Sequence, residues 1–412
     1  MHVLYIHQHF ATPNDSIGTR SYEFSRRLIS KGHQVTILCG DTANSDNTSK
    51  SDERVIRYNV DGINVIKILE PYANAMSFTQ RILSFIKFAY RATVVARNTP
   101  VDLILATSTP LTVGIPGLFA AKKQKKPFVF EVRDLWPELP VSMGVIKNPI
   151  IIWALRYLER KIYQSADAII ALAPGIESGV KSVASNKTPT YMIPNSCDLE
   201  LFSPKNGSDS TISSESNDGL KVVYCGHHGR ANGLDAAISA AKQLKLRCES
   251  QIQFYMIGKG SEKKRLETEC SELELSDYFQ WLDPIPKQKL AEFLTNMDVG
   301  FMPLLNIPAF QYGTSPNKFF DYLAAGLPVL NNYPGWVSDL ISSHNCGVAV
   351  SPNNESELAD ALVYFRDNKE QRIEMGTNAR RLGEEQFSRD LLANKFIEAI
   401  EMSHRNYTQN IH

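Results

Sequence analysis

Several marks of familiar protein classes are missing from this chain. No stretch reaches the roughly 18 uninterrupted apolar residues of a membrane span, and no basic segment precedes an apolar one near the start. Neither a transmembrane helix nor a secretory leader is therefore expected, and the protein is expected to act on the cytoplasmic side. Cysteine is sparse: Cys39, Cys197, Cys225, Cys248, Cys270 and Cys346 have neither zinc-knuckle nor redox-pair spacing, which points to reduced thiols. Net charge is absent too, with 44 basic against 44 acidic side chains, so no global field draws the protein to nucleic acid. The dinucleotide fingerprint of three spaced glycines is missing, which weighs against a nicotinamide oxidoreductase. No Asp-x-Asp pair and no His/Cys/carboxylate cluster has metal-ligand spacing, so catalysis without a bound metal or other cofactor is expected.

What is present is a regular alternation of short apolar runs and helical patterns. His2 to Ile6, Gln34 to Cys39, Val101 to Ala106, Lys126 to Glu131, Ala168 to Leu172 and Pro189 to Ile193 read as buried strands. Helix-length stretches separate them, beginning with Arg20 to Ser30, which predicts a parallel sheet covered by helices. The polar segment 205 to 219 has almost nothing to bury and reads as a linker or loop. After it the pattern restarts with Lys221 to Cys225, a helix from about Leu234, Gln253 to Ile257, Asp298 to Met302 and Pro328 to Asn331. At 412 residues two doubly wound domains are expected, with a cleft where the carboxyl ends of their strands bind ligands. The boundaries read as 1–203 and 204–387, with an apolar-striped helix in 388–412 crossing back to complete the first domain.

The most informative stretch runs from Thr314 to Pro328. Ser315 suits a helix N-cap and Pro316 the first helical position, while Gly326 followed by Pro328 marks the end. Lys318 then falls in the first turn, where the helix dipole disfavours a cation unless an anion is bound there. Asp321, three residues on, can accept hydrogen bonds from a ribose; the plain alternative is a surface Lys318–Asp321 pair worth under about 1 kcal/mol. Gly18, Gly226 and Gly229 lie in strand-to-helix loops where a backbone can approach a ligand or simply turn. Arg133, Asp134 and Glu138 crowd the end of a strand; Asp134 or Glu138 can orient a substrate hydroxyl, and an ion pair of Arg133 with a neighbouring carboxylate is the structural alternative.

These segments resemble the retaining family 4 glycosyltransferases. The likeness is carried by Ile17-Gly18-Thr19-Arg20, Ala166-Asp167-Ala168, Ile193-Pro194-Asn195-Ser196-Cys197-Asp198, Gly258-Lys259-Gly260, Met297-Asp298-Val299 and the Lys318 helix. Arg133-Asp134-Leu135-Trp136-Pro137-Glu138, the run from Gly226 to Asp235, and Ser315-Pro316-Asn317-Lys318 resemble a narrower subgroup, the fucosamine transferase type of bacterial O-antigen and capsule assembly. The resemblance implies a GT-B fold of two Rossmann-like domains facing a cleft. It also implies transfer of a sugar, an N-acetylated amino sugar, from a UDP-sugar to a polyprenyl-diphosphate-linked saccharide with retention.

In the family pattern two glutamates lie eight positions apart; here the second matches Asp321 and the first falls on Gly313. The family's Arg and Lys near the second glycine loop match His227 and Asn232, which leaves Arg230 and Lys318 as cations for the diphosphate. A histidine of the first domain aligns with Arg133. The implied catalytic set is thus Lys318, Arg230, Asp134 and Glu138. Donor contacts are implied for Gly18, Gly226, His228, Gly229, Asn232, Ser315, Asn317 and Asp321. The rival readings are a nucleotide-sugar 2-epimerase and, because of Gly313, a non-catalytic nucleotide-sugar-binding subunit. Two apolar and basic stretches, residues 80 to 97 and 150 to 161, suit either core packing or peripheral contact with the inner face of the cytoplasmic membrane.

Overall fold

The computed structural model describes residues 1–13, 15, 18–42, 55–72, 76, 78–204, 219–311 and 313–409. The loop expected over 205 to 219 therefore lies almost wholly outside the described residues. Two compact units emerge: residues 1–194 with 313–315 and 392–412, and residues 195–312 with 316–391.

The first unit is built on β1 (His2–Ile6), α1 (Arg20–Ser30), β2 (Gln34–Thr42), β3 (Val55–Val60), β4 (Ile63–Tyr72), α2 (Phe78–Arg97) and β5 (Leu103–Thr107). It continues through α3 (Gly114–Gln124), β6 (Phe128–Val132), α4 (Glu138–Ser142), α5 (Pro149–Ser165), β7 (Ala168–Ala171), α6 (Pro174–Val183) and β8 (Thr190–Met192). Its eight strands lie in the order β3-β4-β2-β1-β5-β6-β7-β8. All neighbours are parallel, as the alternation predicts, except β3 and β4, which add an antiparallel hairpin at one edge. The central strands are buried along their whole length, and for that reason read as continuous apolar runs.

The second unit carries β9 (Leu220–Cys225), α7 (Asp235–Leu246), β10 (Ile252–Ile257), α8 (Lys263–Glu272), β11 (Phe279–Leu282), α9 (Lys287–Leu294) and β12 (Val299–Met302). It closes with α10 (Pro308–Gln311), α11 (Asn317–Ala325), β13 (Val329–Asn331), α12 (Trp336–Ser343), β14 (Gly347–Ala349), α13 (Glu355–Asp367) and α14 (Lys369–Gln386). Its six parallel strands run β11-β10-β9-β12-β13-β14 around a core that includes Val222, Tyr224, Phe254, Met256, Phe301 and Leu330. The last helix, α15 (Arg389–Gln409), brings Phe396 against Phe24 at 4.7 Å and Tyr5 at 6.3 Å in the first unit's core.

Among the parallel neighbours of each sheet the direction of chain progress reverses once, between β1 and β5 and between β9 and β12. Such switch points open a crevice at the carboxyl ends of the strands, because the two connections leave to opposite sides. The predicted site residues gather near these two places.

Candidate active site

At the second unit's switch point, α11 is anchored by Tyr322. Its hydroxyl accepts from the Cys225 N–H at 3.2 Å and lies within donating reach of the Val223 carbonyl at 3.1 Å and the Phe301 carbonyl at 3.2 Å. The β9–β12 ladder ends at Val223, so this hydroxyl takes the place of the next rung where the strands part. Gly300 makes room for it: a Cβ there would stand 2.4 Å from the Tyr322 ring. Neither Tyr322 nor Gly300 was singled out from sequence.

The helix begins at Asn317, with Pro316 at the N-cap position in an extended conformation and no side-chain cap. This corrects the reading of Ser315 as N-cap: the proline's extended backbone puts Ser315 one residue too far out. Gly326 closes the helix in the left-handed region, φ 69°, as its position predicts. Lys318 sits in the first turn, whose backbone N–H groups have no partner within the helix.

Lys318 Nζ donates to Asn232 Oδ1 at 2.9 Å and lies 3.4 Å from the Tyr224 hydroxyl, above the Tyr224 ring at 4.5 Å. Among the described residues no carboxylate pairs with it, and burial pushes its pKa down to about 8. Asn232 and the Tyr224 hydroxyl both donate to the His227 carbonyl at 2.8 Å, which pins the loop after β9 beside the lysine. Gly226 in that loop has φ 154°, and a Cβ would meet Lys318 Cε at 3.2 Å; Gly258 packs so closely that a Cβ would meet the Gly226 carbonyl oxygen. Glycine is needed at both positions for this approach.

Asp321 does not form the alternative surface pair with Lys318. It turns away and pairs with Lys287 of α9, Oδ1 to Nζ at 3.1 Å, with side chains only 10% and 16% exposed. The residues are on one helix, yet their side chains are claimed by different neighbours. Its Oδ2 has no protein donor among the described residues. Lys287 also lies 5.4 Å from the Phe202 ring centroid.

The remaining candidates separate. The His228 ring is fully buried between Tyr224 and Trp281, at 5.6 and 5.8 Å, with neither nitrogen hydrogen-bonded among the described residues. The Lys259 carbonyl accepts the His228 backbone N–H at 2.9 Å, and the ring is folded inward. Burial pushes its pKa down to about 4. Gly229 abuts the His227 ring, Asn317 is exposed at the helix start, and Arg230 is exposed in the 3₁₀ turn Arg230–Asn232, with no side-chain hydrogen bond or ion pair among the described residues.

In the first unit, Gly18 is half-buried just before α1. Asp134 accepts from Thr109 Oγ1 at 2.9 Å, and burial raises its pKa against that bond and the charge of Arg133. Glu138 opens α4, exposed, and accepts from Ser142 at 3.2 Å. The alternative of an Arg133 ion pair is not realised among the described residues. Glu131 instead pairs with Arg20 at 2.9 Å and accepts from Tyr5 and Thr107, so its charge is spent inside the sheet. Among the described residues no group of His, Cys, Asp and Glu side chains is arranged to hold a metal, and no helix is long and apolar enough to cross a membrane.

Residues 16–196 match the family described as glycosyl transferase 4-like domain, and residues 208–382 that described as glycosyl transferases group 1. The amylovoran biosynthesis glycosyltransferase AmsK of Erwinia amylovora is 22% identical over 183 residues, 44% of each chain. The chain spans between 36% and 53% of the length of the curated relatives it matches. Among solved structures, sucrose-phosphate synthase of Thermosynechococcus elongatus superposes with TM-score 0.77 at 17% identity, over 97% of this chain and 98% of that one. HepE of Anabaena in complex with UDP-glucose does so with TM-score 0.70 at 15% identity, over 98% and 100%. Residues 16–196 and 208–382 thus match two glycosyltransferase domain families in succession, and the fold of two parallel-sheet units is the GT-B fold.

Proposed function

We propose that the protein transfers an N-acetylated amino sugar from a UDP-sugar to a polyprenyl-diphosphate-linked saccharide, with retention at the anomeric carbon, in bacterial O-antigen or capsule synthesis. The observation that carries the reading is Lys318: a half-buried ammonium with no carboxylate partner, held by neutral groups at the start of α11. A helix start and a cation at one place suit a diphosphate, and they hold best the charge that grows on it as the sugar leaves. Oδ2 of Asp321 suits a ribose hydroxyl. The leaving charge is thereby assigned to Lys318 and the helix N–H groups, with no resident metal. Support of a different kind comes from HepE, solved with UDP-glucose, and from AmsK, named for amylovoran biosynthesis. Incubation with UDP-N-acetyl sugars and lipid-linked acceptors is expected to release UDP and lengthen the acceptor. Tight UDP-sugar binding without turnover on any acceptor would instead favour a binding subunit, as Gly313 in place of the acid suggests.

The pH dependence of donor binding follows from Lys318. Its pKa of about 8 means that the ammonium is lost as pH rises through that value. A bound diphosphate favours the charged form. UDP affinity is therefore expected to fall above pH about 8, and binding near that pH to take up a proton. Calorimetry in buffers of different ionisation enthalpy measures the uptake; affinity that is flat between pH 7 and about 9.5 would contradict it.

Lipid-linked acceptors bring the enzyme to a membrane surface, and the exposed side chains bear on where contact is made. Phe88, in the stretch that suits either core packing or membrane contact, is core, while α2 exposes Leu83, Ile86, Tyr90 and Val94. The stronger candidate is α5, where Ile150, Trp153 and Tyr157 are 74%, 69% and 55% exposed on one stripe beside Arg156, Arg160 and Lys161. Trp153 stacks on Tyr157 at 6.0 Å, and Lys161 lies 5.5 Å from the Tyr157 ring centroid. Apolar groups flanked by cations suit an anionic lipid surface. Replacing Ile150 and Trp153 by Ser is expected to lower co-sedimentation with anionic liposomes several-fold and leave UDP binding unchanged. Unaltered sedimentation would remove α5 from the account.

A further inference from the structure

The carboxyl edge of the first unit's sheet holds a guanidinium with no counter-ion in contact. Arg133 follows β6 directly; its backbone N–H donates to Ser108 Oγ at 2.9 Å, just past β5, and its Nη1 lies 3.2 Å from His7 Nε2, just past β1. These three strands are neighbours across the switch point, so the contact spans the crevice mouth where such sheets take ligands. Behind it, His7 is buried and its Nδ1 lies 2.7 Å from Ser21 Oγ in the first turn of α1. Arginine only donates, so Nε2 accepts, and the ring proton sits on Nδ1 and is given to Ser21.

A neutral imidazole can aim a guanidinium without cancelling its charge. Burial first, then the charges of Arg133 and His9, hold the His7 pKa well below its ordinary value, which keeps it an acceptor. The nearby carboxylates are engaged elsewhere: Glu131 with Arg20, Tyr5 and Thr107, and Asp134 with Thr109. Neither forms an ion pair with Arg133. Among the described residues the Arg133 side chain makes this single hydrogen bond, so Nε and Nη2 have no protein partner. A merely solvated arginine needs no buried acceptor behind it. A planar fork of N–H donors, fixed at one nitrogen and open along the other side, matches an oxyanion with two oxygens.

We propose that Arg133, set in place by His7, binds a two-oxygen oxyanion of a substrate on the first unit. The chemistry is shared by a sugar carboxylate, as in a uronic acid, and by a phosphoryl group. The inference deepens the transfer reading, on which it rests for a saccharide or its diphosphate carrier being bound there. Arg133 touches the substrate; His7 is a positioning residue.

The test uses the full chain with glucuronate, inorganic pyrophosphate and, as the neutral control, glucose. Binding is followed by NMR or calorimetry in the Lys318→Ala background, so that the second unit's phosphate site is silent. Adding Arg133→Gln is expected to weaken one anionic probe about tenfold or more and leave glucose unchanged, the scale of losing a charge-assisted hydrogen bond. Loss confined to glucuronate identifies a sugar carboxylate; loss for pyrophosphate identifies a phosphoryl group. His7→Phe is expected to weaken the same probe by a smaller factor, whereas a purely structural histidine would lower the melting temperature without changing the ratio between probes. Binding of both anions that ignores Arg133→Gln, or no millimolar binding of either, overturns the proposal. No UDP-sugar is used, so this result and that of the donor assay fail separately.

Discussion

Lys318→Ala is expected to lower turnover about 100-fold or more, the scale seen when one charge stabiliser of a transition state is removed. The lysine has no carboxylate partner to satisfy in the free protein; its contacts are the neutral Asn232 and Tyr224. Its charge therefore does most when the diphosphate gains negative charge as the sugar departs, which places the loss in kcat more than in donor affinity. The fold should be unharmed: burial disfavours the ammonium, and one hydrogen bond worth about 1 kcal/mol is lost. Steady-state kinetics beside a thermal melt separates the two effects. Near wild-type turnover in a folded Lys318→Ala protein would remove this lysine from the mechanism.

Asp321→Ala should act mainly on stability, whereas loss of a ribose contact alone would mainly raise the donor KM. The Lys287–Asp321 pair is largely buried, and removing the carboxylate strands an ammonium beside the Phe202 ring. Breaking a buried pair from one side costs about 3 kcal/mol or more, equivalent to a fall of about 6 to 12 °C in Tm for a unit of this size. Asp321→Ala combined with Lys287→Ala should recover part of the loss, because no charge is then left unpaired. If the single variant melts like the wild type, the pair is not a stabilising contact. A raised donor KM measured below the new Tm would add the ribose contact to the structural one.

The contrast between Lys318 and Asp321 shows what local sequence can and cannot tell. A cation in a helix's first turn is visible from sequence because it opposes the dipole there, and Pro316 and Gly326 bracket the helix closely enough to place it. Where Asp321 points depends on α9, which comes more than 30 residues earlier and packs alongside only in the folded unit. The same holds for Arg20 and Glu131, and for Arg133 and His7: each pair joins residues far apart in sequence that the strand order of the first sheet brings together. Tyr322 read as one more apolar residue of a helix, since its role depends on a missing rung between β9 and β12.

Strands show the same division. Buried central strands such as β1, β5 and β6 are continuous apolar runs and could be read directly. β3 escaped because Arg57, Tyr58 and Asn59 are exposed on an edge, which erases both the apolar run and a clean alternation. β11 and β14 are the two edge strands of the second sheet and are only partly buried, so neither shows a continuous apolar run. β4 was legible in composition but was passed over between helix-length gaps.

The central claim is that a sugar nucleotide's diphosphate binds at the start of α11. A crystal structure of the full chain with UDP tests it most directly. Phosphate oxygens are expected within hydrogen-bond distance of Lys318 Nζ and of the first-turn N–H groups of α11. UDP bound with its diphosphate away from Lys318 and that helix would contradict it.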